Sequence, residues 1–142
     1  MNQPYPDLAA LFLRVSLGVL YLAHSLTKIF VFTLPGTAQY FVSIGFPGWL
    51  GYLTAFVELF GGIALLLGIQ VRWAALVLLP FMLGALSVHL PNGWGFASPK
   101  GGWEFPAFWA ATLVVQALLG NGLLAVSKAR APLALRRPNQ AI

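Results

Sequence analysis

The chain has 142 residues, of which 59% are hydrophobic and 8% charged, and its mean hydropathy is +0.83. That is too apolar for a water-soluble domain to cover with polar surface, so the sequence describes an integral membrane protein. The absence of cysteine excludes disulfides, thiolate metal sites and dithiol redox relays. The net charge of +5 reflects basic residues concentrated beyond the spans in 128–142, where they read as topology and lipid contacts rather than nucleic-acid binding.

A bilayer core takes about twenty apolar residues per helix, and spans are predicted over 8–32, 49–69, 72–90 and 103–126. Asp7, after Pro6, is placed to N-cap the first. This span does not read as a convincing signal peptide: no Lys or Arg precedes it, and polar residues interrupt it. Pro35 then starts a short segment with Ala38, Phe41, Val42 and Gly45 on one face, which reads as surface-lying or shallow re-entrant and ends at Pro47–Gly48. A tight turn, "GIQVR", makes the second and third spans antiparallel neighbours, and Pro80 is expected to kink the third. The loop "LPNGWGFASPKGGWEF" carries Trp94 and Trp103, suited to a membrane interface.

The predicted fold is therefore an all-α membrane protein, a four-transmembrane-helix bundle with a short amphipathic or re-entrant segment between helices 1 and 2. It forms a single domain over 1–127, followed by a basic tail over 128–142. Arg72, Lys128, Arg130, Arg136 and Arg137 fall on the side of the termini and Lys100 alone on the other, so the positive-inside rule puts both termini in the cytoplasm of a bacterial inner-membrane protein.

Ionisable groups inside a span need a partner or water. Helix rise places His24 and Lys28 in the outer half of the first span and Glu58 near mid-membrane, while His89 and Glu104 close and open the last two spans on the outer side. The expected polar pocket is thus His24, Lys28, Glu58, His89 and Glu104. Arg14, Tyr21 and Lys28 recur at seven-residue steps on a stripe able to face the interior. The competing reading has Arg14 and Lys28 snorkel to opposite headgroup layers, with His89 and Glu104 merely hydrated at the interface. Gly61, Gly62 and Gly68 remove side-chain bulk, for helix packing or for ligand approach. A bis-imidazole haem between the histidines lacks supporting signals, as does a metal site from His24, Glu58 and His89, so no metal is assigned.

From about Leu11 to Ser127 the chain resembles the DoxX family of small four-span membrane proteins. The resemblance rests on His24-Ser25-Leu26-Thr27-Lys28, Gly45-Phe46-Pro47, Glu58-Leu59-Phe60-Gly61-Gly62, Leu67-Gly68-Ile69 with Arg72, and His89. Ser25 stands where the family usually has glycine; its hydroxyl can bond back to the helix. The resemblance implies a small subunit or accessory of a quinone-linked oxidoreductase, with quinone as the candidate cofactor. It also implies partners of three kinds: the lipid bilayer, a redox subunit or a further copy of the chain. A quinone carbonyl wants a donor such as His24 or Lys28, and Glu58 could relay protons. Nothing in the chain carries electrons by itself, so a partner or cofactor would supply them. The alternative function is a non-catalytic assembly or anchoring module, in which the charged cluster is structural. A transporter would need an oligomer, because four spans without an inverted repeat cannot alternate access.

Overall fold

In a computed structural model, which describes residues 5–127, the chain is wholly helical apart from its connections. The basic stretch expected as a tail, 128–142, lies outside the described residues. α1 (Tyr5–Leu26) continues into a five-residue π-helical turn, Thr27–Val31. α2 (Leu34–Ser43) follows, then α3 (Gly48–Leu67), α4 (Val71–His89) with a short 3₁₀ turn at Leu90–Asn92, and α5 (Glu104–Leu119). Three helical stretches are long and apolar enough to cross a membrane: Tyr5–Val31, Gly48–Leu67 and Val71–Asn92. With the shorter apolar α5 they make a four-helix membrane bundle.

Glycine sets how close the helices come. α1 runs along α3 where Gly18 meets Gly62. A Cβ on Gly62 would sit 3.2 Å from the Gly18 carbonyl oxygen, and one on Gly18 only 2.7 Å from Leu66 Cγ. Such close approach is what small residues allow between membrane helices. α4 pairs with α5, and the two pairs close over a core that includes Leu17, Tyr21, Leu65, Leu78, Trp109 and Leu113. α4 continues through Pro80 without a break.

α2 docks on the start of α3, where a Cβ on Gly51 would lie 3.2 Å from the Ala38 backbone. Its buried residue is Thr37, not Val42, which is exposed. Thr37 Oγ1 donates to the Lys28 carbonyl at 2.9 Å, within the π turn where the regular helix ladder is broken. Ala38 and Phe41, expected on the packing face, do meet Gly51 of α3.

The fourth helix is shorter than predicted. It ends at Leu119 instead of 126, because Gly120 and Gly122 take positive φ (79° and 67°) and reverse the chain. Residues 120–127 then fold back over the termini of α3 and α4. Val126 N donates to the Leu67 carbonyl (3.0 Å), Ser127 N to that of Gly68 (3.1 Å), and Val71 N to Asn121 Oδ1 (3.3 Å).

Arg14 completes this closure and does not snorkel. It is 1% exposed, and its guanidinium donates to the carbonyls of Leu65, Leu66, Asn121 and Leu123 at 2.7–3.0 Å. The last carbonyls of a helix have no partner within it and carry negative partial charge, so an inward guanidinium is well placed there. Arg72 treats α5 in the same way, donating from Nε to the Ala117 carbonyl at 2.9 Å. Asp7 lies inside the first turn of α1 instead of ahead of it; a carboxylate there still favours the positive helix end.

Candidate functional site

The π turn carries Lys28 at the point where α1 passes α3. Its Nζ donates to Glu58 Oε2 at 2.6 Å, and the two side chains are only 18% and 10% exposed. Among the described residues this is the one ion pair. The ammonium therefore points into the bundle and pairs with a carboxylate that is otherwise largely removed from solvent.

His24 and His89 have matching geometry. His24 Nδ1 lies 2.9 Å from the Leu20 carbonyl oxygen and His89 Nδ1 lies 2.8 Å from that of Ala85, each one turn back. A carbonyl only accepts, so each Nδ1 carries the proton, and a neutral ring keeps its Nε2 lone pair for another partner. The His24 ring also sits edge-on to Trp109, with centroids 4.9 Å apart.

These residues border a cavity of about 520 Å³. α1 contributes His24 and Lys28; α3 contributes Leu50, Thr54 and Glu58; α4 contributes Pro80, Phe81, Met82, Gly84, Ala85, Val88 and His89. Tyr40 and Phe41 of α2, Ile44 and Phe46 after it, and Phe105, Pro106 and Trp109 of α5 complete the wall. A few convergent polar groups on an otherwise apolar and aromatic lining is the usual make-up of a small-molecule site.

Four of the five expected pocket residues thus share one cavity, and Glu104 does not. Its carboxylate accepts from Phe96 N at 2.6 Å, and its own N donates to the Trp94 carbonyl at 3.0 Å, which ties down the 93–103 loop. None of the three glycines lines the cavity. Gly62 packs on α1, Gly61 faces Leu78 of α4, and Gly68 (φ 70°) ends α3 with its Cα against Ala125. Ile69 N donates to the Ala64 carbonyl and Gly68 N to that of Leu65, a Schellman closure that only a left-handed residue completes. Among the described residues no group of three His, Asp or Glu is placed to hold a metal ion.

The sequence reading does not single out the residues of the aromatic wall. Trp109 meets Tyr21 at a tilt (4.8 Å) and His24 and Phe105 (5.4 Å) edge-on, and both the Trp109 Nε1 and Tyr21 Oη donors are buried without a partner among the described residues. The four-residue step from Phe105 to Trp109 was the available signal, since it puts both rings on one helix face.

Fold and site together define a small multi-span membrane protein with a ligand-sized cavity inside its helical bundle. The chain belongs to the DoxX family, whose model matches residues 9–90, a stretch holding His24, Lys28, Glu58 and His89. It is 32% identical over 127 residues, 89% of each chain, to a protein of Bacillus subtilis (strain 168) named "Putative oxidoreductase CatD". No solved structure matches it.

Proposed function

We propose that the protein is a redox-linked membrane subunit whose cavity binds a quinone or a similar apolar ring. The observation that carries this reading is the convergence of His24, Lys28 and Glu58 on a 520 Å³ cavity walled mainly by aromatic and aliphatic side chains. A ring fits such a wall, and its carbonyl oxygens need a donor of the kind that Lys28 Nζ supplies. The oxidoreductase name of the Bacillus relative supports the same class.

A bound quinone would supply two-electron, two-proton redox chemistry. Within the chain, Lys28 orients and neutralises Glu58, and Glu58 holds or passes a proton at Oε2. The Nε2 atoms of His24 and His89 offer further proton-accepting positions along the wall. Electrons come from a partner subunit or another bound group, since no side chain here carries them. The same reading puts the protein in a bacterial inner membrane with both termini in the cytoplasm, so the cavity lies in the outer half.

The test is cofactor extraction and an absorption spectrum on protein purified in mild detergent, beside Glu58→Gln. A co-purifying or added quinone that stabilises the wild type and not the variant supports the proposal. Absence of any quinone, with no shift on adding one, overturns it. Loss of a co-purifying protein from Glu58→Gln in that case would instead favour the assembly module.

A further inference from the structure

A second chamber of about 850 Å³ adjoins the first, and the two share Tyr40, Ile44, Phe46, Val88 and His89 in their walls. It lies between the end of α2 and the end of α4, and its own lining adds Ser43, Ser87, Pro91, Asn92 and Lys100. At the loop end of the bundle the inner cavity therefore abuts a vestibule of mixed polar and apolar lining, with His89 at the junction.

The vestibule has positive charge and no carboxylate. The chain has three acidic residues: Asp7 is at the far end of α1, Glu58 is paired with Lys28, and Glu104 accepts from Phe96 N. Lys100 is held in a left-handed conformation (φ 64°), and Asn92 Nδ2 donates to the carbonyl of neighbouring Gly101 at 2.9 Å, pinning the loop at the chamber wall. An apolar tail lying here would strip water from the Lys100 ammonium and return no hydrogen bond, which is unfavourable. An anionic group would be attracted instead.

We infer that this site takes a ring compound with an acidic substituent and no isoprenoid tail, its ring in the inner chamber and its anionic group beside Lys100. The inference rests on the proposed ring-binding function and names the ligand class within it. Titration calorimetry on the full chain in nanodiscs tests it with three probes: menadione, a sulfonated naphthoquinone and an isoprenoid-tailed naphthoquinone. The sulfonated probe binds tightest, and Lys100→Glu weakens it roughly fivefold or more while Lys100→Arg does not. Menadione binds wild type and Lys100→Glu alike, which also shows that the variant is folded. Tightest binding by the tailed probe, or no effect of Lys100→Glu on the sulfonated one, overturns the inference and leaves the ring-binding function standing. If none of the three probes binds the wild type, both fall.

Discussion

Removing either partner of the Lys28–Glu58 pair leaves the other charge where little water reaches it. Because both side chains keep some exposure, the cost lies below the ~3–5 kcal/mol of a fully buried pair, at about 2 kcal/mol for Lys28→Met or Glu58→Gln. The double variant recovers most of that loss, and a double-mutant cycle of thermal melts in detergent reads the coupling directly. Gly62 offers a contrasting test with no charge involved. Its missing side chain lets the α1 backbone lie where a Cβ would already be tight. Gly62→Leu therefore overpacks the α1–α3 seam and costs about 2–3 kcal/mol, seen as a lowered melting temperature. A melt matching the wild type would mean that the helices are not so closely packed.

At the scale of the element, the last carbonyls of α3 and α5 are each met by an arginine from another helix. Arg14 of α1 takes the terminal carbonyls of α3 and those of the returning 120–127 segment, so one side chain joins three parts of the fold. Arg14→Met removes four charge-assisted donations at once and leaves the carbonyls in a dry setting. The expected loss is about 3 kcal/mol or more. Faster proteolysis within 120–127 should accompany it in the folded population, and unchanged cleavage there would refute the clamp. The π turn plays a comparable part at the other end of α1. By widening one turn it brings Lys28 to Glu58 and frees its carbonyl for Thr37, so the same five residues link the ion pair to the placement of α2.

For the whole molecule, the bundle keeps its two ends chemically distinct. One is closed by arginine and the folded-back segment, while the other carries the cavity, its vestibule and the 91–103 loop. The proposed orientation puts that loop outside the cell. A chain without cysteine makes the check direct: in intact cells, Ser98→Cys should react with a membrane-impermeant maleimide, whereas Ser127→Cys should react only after permeabilisation. The reverse pattern would invert the topology and move the cavity to the cytoplasmic half.

Much of this was legible from composition and spacing, because a bilayer imposes a length and an apolar content that a sequence displays directly. Spans one to three, the intervening amphipathic segment and the polar character of His24, Lys28, Glu58 and His89 all belong to that class. Their pairing does not. Whether Lys28 snorkels or turns inward depends on a π turn that no periodicity announces, and whether Arg14 reaches a headgroup or a helix end depends on where α3 stops. Glu104 had the right depth but a nearer partner in the Phe96 amide. Trp109 became part of the wall only when α5 closed against α1. The sequence by itself determined that the chain spans the membrane and which side chains are too polar to face lipid. Only the tertiary structure decided which of them meet, since hydrogen bonds and ion pairs act over a few ångströms and depend on helices far apart in the chain.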